Sequence, residues 1–396
     1  MGLKNKINSF KNRAEAIVTD RRFVIGLYIL VAILAATKQY LRGNFNNYLI
    51  FKHVYWHSKE FLDLYALYPN EYFDSNHYGP FFALLIAPFA LLPDVVGMVS
   101  WNIVNVIVLC WGIYQLPISE KNRSWIAIIG VHETLTALLG FQFNIALVGL
   151  MLLSFSYIVK GKDIWGVVMI LIGFLVKLYG IVGLAFFFFS KNKIRFVVAG
   201  LILLPILAFL PSIISTPTYV YDNYIGWYES LVEKNGQNIT LSSRQDVSLM
   251  GIVRRISGDP TIPNTPFIAV GLLLFALPYL RIGQYKTQGF QLALLSSVLI
   301  FPVIFSSSSE SPTYIIAMFG VAVWFMMKSA PRSPAQITLF VLAMLLTSFS
   351  PSDLFPKFVR EEYIIPYSLK ALPCVLVWFA IVYEMLTIDY KKSATV

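Results

Sequence analysis

The chain has 396 residues, of which 57% are hydrophobic and only 13% are charged, and its mean hydropathy is +0.67. Soluble domains average about 25% charged residues, so this composition excludes a soluble globular protein and indicates a polytopic, all-α membrane protein. The net charge of +10 would indicate a nucleic-acid partner in a soluble chain. In a membrane protein it follows from basic residues on the cytoplasmic side, and we expect no nucleic-acid partner.

The N-terminus combines a basic segment with a long apolar run. Residues 1–22 are rich in Lys and Arg, and residues 23–41 are almost wholly apolar. A cleaved signal peptide would have a shorter apolar core and a small-residue cleavage site. We therefore predict a cytoplasmic basic segment, 1–22, followed by a first membrane span.

Twelve apolar runs have the composition of membrane spans, for which about 20 residues are typical. They are residues 23–41, 96–115, 124–140, 142–159, 163–177, 178–190, 195–212, 265–280, 288–306, 312–327, 334–350 and 367–387. This places both termini inside, with 388–396 as a cytoplasmic tail, and leaves long outer loops at 42–95, 213–264 and 351–366. The inner segments hold most Lys and Arg, whereas the outer loops hold most acids, as the positive-inside rule requires. We predict a single transmembrane domain, 23–387, in the cell (inner) membrane.

One apolar segment does not fit as a span. The run "GPFFALLIAPFALL", residues 79–92, is short and is interrupted by Pro88. Counting it as a span would invert every later loop, so we predict a re-entrant or interfacial helix in the first outer loop. Irregular backbone at membrane depth must be covered by protein or a wet cavity, and this predicts a cavity nearby.

The first outer loop concentrates polar and acidic residues before this segment. A carboxylate beside a membrane cavity can act as general base on an acceptor hydroxyl. Asp74 and Asp63 are the candidates, because Asp74 precedes His77 and Tyr78 at the membrane re-entry and Asp63 lies beside aromatic residues. A solvated acidic loop is the alternative for either residue, and we expect Glu60 and Glu71 to be solvated.

Neither the histidines nor the cysteines indicate a metal site. His53 and His57 are spaced i,i+4, but zinc would need a third ligand, so we expect interfacial aromatic residues instead. Cys110 and Cys374 both lie within apolar runs and predict small core residues rather than a disulfide. No cofactor is expected.

Two span junctions carry polar side chains on the predicted outer side. Gln142 and Asn144 follow Gly140, and their amides can bind a sugar or phosphate or can join two helices. Lys177 ends a span, where it can pair with a lipid phosphate or extend to the interface.

The segment "SSSSESP" at 306–312 forms a second polar cluster. Ser308 and Glu310 precede a helix whose N-terminus would favour an anion, although a plain polar turn is the alternative. Glu133 falls within a span and is costly there unless paired, and the sequence leaves its partner open.

No glycine-rich phosphate loop occurs, and the predicted inner loops are too short to hold a nucleotide-sugar. A sugar donor would therefore reach the outer face already activated, as a lipid-phosphate sugar would.

The motif order resembles that of glycosyltransferase family 87. It runs "NNYLIFK", "DLYALYP", "YFD", "YGPFFALLIAPFALLPD" and "WNIVN", then "GFQFN", "VKLYG" and "SSSSES", over residues 25–330. The resemblance implies a GT-C fold, a polyprenyl-phosphate sugar donor, often carrying mannose, and a catalytic acid early in the first outer loop. Asn46 and Asn47 occupy that acidic position here. Either Asp63 or Asp74 then acts as base, or the enzyme has changed its chemistry, and we expect Asn46 and Asn47 to bind substrate. The resemblance also assigns Gln142, Asn144 and Lys177 to substrate binding.

We therefore predict a membrane hexosyltransferase that inverts the anomeric carbon on the outer face. Its partners would be a polyprenyl-phosphate sugar, a lipid or glycan acceptor, and the bilayer. Asp74 and Asp63 are the predicted catalytic residues, and the predicted substrate-binding residues are Asn46, Asn47, His77, Tyr78, Gln142, Asn144, Lys177, Ser308 and Glu310. The alternatives are a multi-pass transporter or lipid flippase, or a non-catalytic member of the same fold. An enzyme requires the acid, Lys177 and Glu310 to converge on one cavity.

Overall fold

The computed structural model describes residues 15–243, 245–328 and 331–392, and within them the chain is helical. Most of the predicted basic segment 1–22 and part of the tail 388–396 lie outside these residues. The α-helices longer than five residues are α1 Arg21–Leu41, α2 Asn46–Glu60, α3 Phe82–Ala90, α4 Asp94–Gln115, α5 Glu120–Leu139, α6 Asn144–Val159, α7 Asp163–Val176, α8 Lys193–Phe209, α9 Pro217–Asn238, α10 Leu249–Ser257, α11 Thr265–Ala276, α12 Gln288–Ile304, α13 Tyr314–Met326, α14 Pro334–Leu342 and α15 Leu372–Thr387.

Four continuous helical stretches are long and apolar enough to cross a membrane: Arg21–Leu41, Asp94–Gln115, Lys193–Ile213 and Leu369–Thr387. The other predicted spans form shorter apolar helices. Two of them leave regular α geometry, since Leu178–Phe189 is a 3₁₀ helix and Ala343–Phe349 is a π-helical turn. The all-helical, multi-pass architecture is thus confirmed, whereas the count of twelve spans stays a prediction.

Burial separates a protein-lined core from a lipid-facing periphery. Nearly every residue of α6, α12 and α13 is buried. In contrast, α8 buries only Phe196 and Ala199, and α11 buries only Gly271, although both helices are apolar all round. Apolar side chains that face outward on every side are stable in lipid, where they need no protein cover.

Glycine allows the closest helix contact in the core. A Cβ on Gly112 of α4 would lie 2.5 Å from the Gly149 carbonyl oxygen of α6. Small residues at such crossings let two backbones pack directly, which compensates for the weak hydrophobic drive between helices in lipid.

Helix α3 is the predicted short apolar segment. Its nine residues rise about 13 Å, well below the roughly 30 Å of a hydrocarbon core. Phe82, Ala83, Ile86 and Ala90 are buried against the protein. The length excludes a complete crossing, in agreement with a re-entrant or interfacial position.

Helix α9 starts with a regular N-cap and covers the first loop region, residues 61–81. Thr216 accepts a hydrogen bond from the Tyr219 amide, and Pro217 occupies the first turn. Asn223 Oδ1 accepts from the Leu64 amide at 3.1 Å, and Trp227 Nε1 donates to the His77 carbonyl at 2.9 Å. The helix therefore holds the segment that carries the predicted acids.

Candidate active site

One cavity of about 410 Å³ collects polar residues from distant parts of the chain. Its wall combines the first loop region, the junctions that precede α6 and follow α7, helix α9, and the 305–310 loop. We call it the main cavity. Of the predicted site residues, Asn47, Asp74, His77, Tyr78, Gln142, Lys177, Ser308 and Glu310 line it.

A backbone contact brings the first loop region to the end of α7. The Gly79 amide donates to the Val176 carbonyl at 3.1 Å. A Cβ on Gly79 would overlap the Leu175 carbonyl oxygen, so only glycine fits without displacement. This approach positions Tyr78 beside Lys177, whose Nζ lies 5.7 Å from the centre of the Tyr78 ring.

A hydrogen-bonded chain crosses one side of the cavity. The Tyr78 hydroxyl donates to Gln142 Oε1 at 3.1 Å, and Gln142 Nε2 donates to Glu310 Oε1 at 3.3 Å. The Phe143 backbone amide donates to the Tyr78 hydroxyl oxygen at 3.3 Å. These contacts orient Gln142 and hold the carboxylate of Glu310 at the cavity wall.

Among the described residues that line the main cavity, Lys177 is a lysine without an ionic partner. It follows the last residue of α7, where the backbone becomes extended with φ −145° and ψ 126°. Its Nζ donates to Asn144 Oδ1 at 2.9 Å, and within the described residues it forms no ion pair. An ammonium group has three donors, so two remain for an anionic ligand.

Asp74 lines the main cavity together with His77 and Lys234. Its backbone has φ +71°, a left-handed conformation that is uncommon for residues other than glycine but tolerated by Asp. Lys234 Nζ lies 3.3 Å from Asp74 Oδ2, and His77 Nε2 lies 3.9 Å from Asp74 Oδ1. The Asp74 side chain is 57% exposed, so its carboxylate remains accessible to a substrate.

His77 is held as a neutral ring. Its Nδ1 contacts Ser230 Oγ at 2.9 Å, and its buried Nε2 has no hydrogen-bond partner within the described residues. Burial, with a smaller contribution from Lys234 and against the opposing effect of Asp74, lowers the pKa of His77 to about 4. At neutral pH the imidazole is therefore uncharged.

The 305–310 loop is braced mainly by its own serines. Ser306 Oγ accepts from the Tyr179 hydroxyl at 2.9 Å, and Ser309 Oγ donates to the Val303 carbonyl at 2.7 Å. Ser308 Oγ accepts from Asn238 Nδ2 at 3.3 Å and lines the cavity. Glu310 caps the next turn together with Thr313.

Three predicted site residues do not line the main cavity. Asn46 exchanges two hydrogen bonds with the Phe73 backbone, each 2.7 Å, and so shapes the loop before Asp74. Asn144 is fully buried and reaches the cavity only through its bond to Lys177. Asp63 is exposed, and its Oδ1 accepts from the Tyr65 amide at 2.8 Å.

The structure also shows the partners of two other acids. Glu71, expected to be solvated, is exposed, and its Oε2 lies 2.8 Å from His57 Nε2. Glu133 finds its partner in Lys370, whose Nζ lies 3.0 Å from both carboxylate oxygens and 3.0 Å from Ser311 Oγ. This buried pair therefore supports the residue next to Glu310.

Sequence reasoning missed the contribution of helix α9 and the loop after it. Lys234, Asn235, Asn238, Gln245 and Asn264 all line the main cavity. A signal was present in α9, because Trp227, Leu231, Lys234 and Asn238 recur at intervals of three to four residues and thus share one helix face. No comparable periodicity marks Gln245 or Asn264.

A comparison with known protein families identifies the family of this chain. The model of glycosyltransferase family 87 matches residues 76–307, more than half of the chain. The match starts two residues after Asp74 and ends before Glu310, so it is narrower than the resemblance seen in the sequence. No curated protein matches the chain significantly. The chain belongs to glycosyltransferase family 87, a membrane family with the GT-C fold, and it is therefore a multi-pass glycosyltransferase rather than a transporter.

Proposed function

We propose that the protein transfers a hexose from a polyprenyl-phosphate sugar to an acceptor hydroxyl, with inversion at the anomeric carbon. The observation that carries this proposal is the convergence of Lys177, Asp74 and Glu310 on one cavity. A cation without an ionic partner among the described residues suits the donor phosphate, and an accessible carboxylate suits a general base. Mannose is the first sugar to test.

The apolar part of the cavity wall supports a lipid-linked donor. Leu178, Leu231, Ile268 and Phe305 line the cavity beside the polar residues. Ile268 belongs to α11, whose other residues, apart from the buried Gly271, are exposed or partly buried and mainly apolar. A prenyl chain could therefore lie along α11 in the bilayer while its phosphate enters the cavity, whereas a nucleotide would gain little from such a wall.

The chemical step is a single displacement. The acceptor oxygen attacks the anomeric carbon as its proton passes to the Asp74 carboxylate. The bond between that carbon and the phosphate oxygen breaks, and polyprenyl phosphate leaves with its negative charge beside Lys177 and Tyr179. Glu310, oriented by Gln142, accepts hydrogen bonds from hydroxyl groups of the transferred sugar. The neutral ring of His77 adds no positive charge beside the base.

The topology belongs to the same proposal. Twelve spans with both termini inside would place the main cavity on the outer face, with α3 as a re-entrant helix beneath it. The distribution of Lys and Arg supports this orientation. Labelling of an Asp222→Cys variant by a membrane-impermeant maleimide in intact cells tests it, because α9 would then face outward.

The decisive experiment is transfer of radiolabelled mannose from polyprenyl-phosphate mannose in membranes. Removing a general base typically costs about 10²–10⁴ in rate, so Asp74→Asn should lower kcat by at least about 100-fold. Asp63→Asn should reduce it far less, because Asp63 lies outside the main cavity. Asp222→Asn, on the exposed side of α9, is the matched control.

Equal activity of Asp74→Asn and wild type, in correctly folded protein, would remove Asp74 from the mechanism. The opposite ranking of the two variants would assign the base to Asp63. Absence of transfer in wild type with a panel of polyprenyl-phosphate hexoses would reject the proposed donor class.

A further inference from the structure

A second cavity of about 360 Å³ lies next to the main cavity. We call it the side cavity. Asp74, Ser75, His77 and Lys234 line both cavities and so form the wall that they share. The remainder of the side cavity is built from the loop after α2 and one face of α9, and its volume falls in the range of about 300–1,000 Å³ common for small-molecule sites.

The shared wall contains the proposed base. A ligand in the side cavity could therefore present a hydroxyl group to the Asp74 carboxylate from the side opposite the donor. That arrangement is what an inverting displacement requires, because the nucleophile and the leaving group must approach the anomeric carbon from opposite faces. No residue of the apolar lipid-facing helix α11 lines the side cavity.

The charge of the side cavity is opposite to that expected for a phosphate site. Asp63, Asp74, Glu229 and Glu233 contribute carboxylates. Among the described residues that line the side cavity, Lys234 is the one lysine or arginine, and it already pairs with Asp74. In the described part of the chain, Glu229 and Glu233 make no ion pair. An anionic ligand would be repelled here, whereas uncharged hydroxyl groups can donate hydrogen bonds to the free carboxylate oxygens.

A fixed aromatic wall completes the site. The Tyr65 hydroxyl donates to the Tyr78 carbonyl at 3.0 Å, which holds the ring in place. A Cβ on Gly226 would lie 3.0 Å from this ring, so the glycine lets Tyr65 pack directly on α9. A rigid aromatic ring beside carboxylates is a suitable surface for a sugar, which has an apolar face and a polar rim.

We propose that the side cavity is the acceptor subsite and that its acceptor is an uncharged glycan. This inference rests on the proposed glycosyl transfer, but the binding of a sugar at this place can be measured without any reaction. Glu229 and Glu233 are spaced i,i+4 on α9 and hold acceptor hydroxyl groups. Asp63, from the loop after α2, supplies a further carboxylate that binds the acceptor.

The test is saturation-transfer NMR of the full-length protein in detergent with a neutral probe, methyl α-mannobioside. We expect binding in wild type and a loss of at least about fivefold in the Glu229→Gln/Glu233→Gln double variant. Both positions are exposed, so the variant should fold. Asp222→Asn on the same helix and Lys177→Met in the main cavity should retain the signal.

A second probe measures whether the side cavity prefers an uncharged ligand. It is an analogue of the disaccharide in which one sugar is replaced by a uronic acid. Measured in the Lys177→Met variant, which removes the cation of the main cavity, the uronate should bind at least about fivefold more weakly than the neutral probe. The Glu229→Gln/Glu233→Gln change should reduce the difference in affinity between the uronate and the neutral probe.

Three results would overturn the inference: no neutral binding in wild type, full binding in the double variant, or a signal that depends on Lys177 but not on Glu229 and Glu233. Equal binding of uronate and neutral probe would overturn the choice of an uncharged acceptor. Consumption of the polyprenyl-phosphate donor is measured separately, so failure of the donor proposal remains distinguishable from failure of the acceptor subsite.

Discussion

At the scale of single residues, the site depends on charges that the protein leaves without a full set of partners. Lys177 makes one hydrogen bond, to Asn144, and no ion pair among the described residues. Glu310 accepts a hydrogen bond from Gln142, caps the next turn together with Thr313, and lines the main cavity without an ion pair among the described residues. Such incomplete pairing is costly in a fold, and it is compensated when a ligand supplies the missing partner.

Lys177→Met should therefore impair the enzyme without unfolding it. A charge-assisted hydrogen bond is worth about 1.5–3 kcal/mol, so kcat/KM for the lipid donor should fall about 10- to 150-fold. Lys59→Met, at an exposed position of α2, should leave transfer unchanged. A normal kcat/KM in Lys177→Met would mean that the donor phosphate binds elsewhere.

His77 should make the stability of the protein depend on pH. Its pKa is about 4 in the folded protein and about 6.5 when unfolded, so the unfolded state binds more protons between these values. The unfolding free energy should fall as the pH drops through this window, by on the order of 3 kcal/mol at most.

Thermal unfolding of wild type and His77→Asn between pH 7 and pH 4 measures this effect. The Asn side chain can keep the bond to Ser230 but cannot be protonated, so the variant should lose less stability in acid. Parallel pH profiles of the two proteins would show that other groups determine the acid sensitivity.

At the scale of elements, the site forms where helices are interrupted. Helix α5 ends before Gln142, α7 ends before Lys177, and α12 ends before the 305–310 loop. Each break leaves backbone groups and short polar side chains that a continuous apolar helix would not present. Helix α9 then covers the loop that carries Asp74, and its Trp227 bonds to the backbone of that loop.

Gly79→Ala should disrupt this assembly. The added Cβ would overlap the Leu175 carbonyl oxygen, so the loop carrying Asp74 and Tyr78 must move away from Lys177. Overpacking of this kind costs about 1–3 kcal/mol, and transfer activity should fall more steeply than thermal stability because the site geometry changes.

The matched control is Gly236→Ala in α9, where no atom lies within 4 Å of the position that the added Cβ would occupy. Alanine in a helix should raise stability by about 0.5–1 kcal/mol and leave transfer intact. Retention of activity in Gly79→Ala would show that the loop can shift without loss of the catalytic arrangement.

At the scale of the whole molecule, buried ion pairs hold the packing of helices and loops in place. Glu133 of α5 and Lys370, which precedes α15, are both nearly inaccessible and pair at 3.0 Å. Asp246 and Arg254 form a second buried pair at 2.7 Å, and it braces the loop that supplies Gln245 and Asn264 to the main cavity. Removing one partner from such a pair leaves an uncompensated charge in a medium of low polarity.

Lys370→Met should consequently destabilise the protein by about 3–5 kcal/mol, and Glu133→Gln/Lys370→Met should recover most of that loss. Thermal unfolding in detergent measures both effects. Because Lys370 also contacts Ser311, transfer should weaken in the single variant through the neighbouring Glu310. Equal destabilisation in the single and double variants would show that the charge pair itself contributes little.

The amino-acid sequence was sufficient to predict what depends on local composition. Long apolar runs, few charges and the bias of Lys and Arg predicted a multi-pass helical protein, because each span must satisfy its own backbone in lipid. The length of the 79–92 run and its proline predicted a helix too short to cross. Motif order was sufficient to predict the family, which the family match confirmed.

Only the tertiary structure could decide which of these polar residues meet. Asp63 and Asp74 are equivalent in sequence terms, yet Asp74 lines the main cavity and Asp63 does not. Glu133 pairs with Lys370, which lies 237 residues further along the chain. Asp74 pairs with Lys234, which lies 160 residues further along. Such contacts depend on how helices pack across the whole chain, and the period of a single helix carries no information about which neighbour it will face.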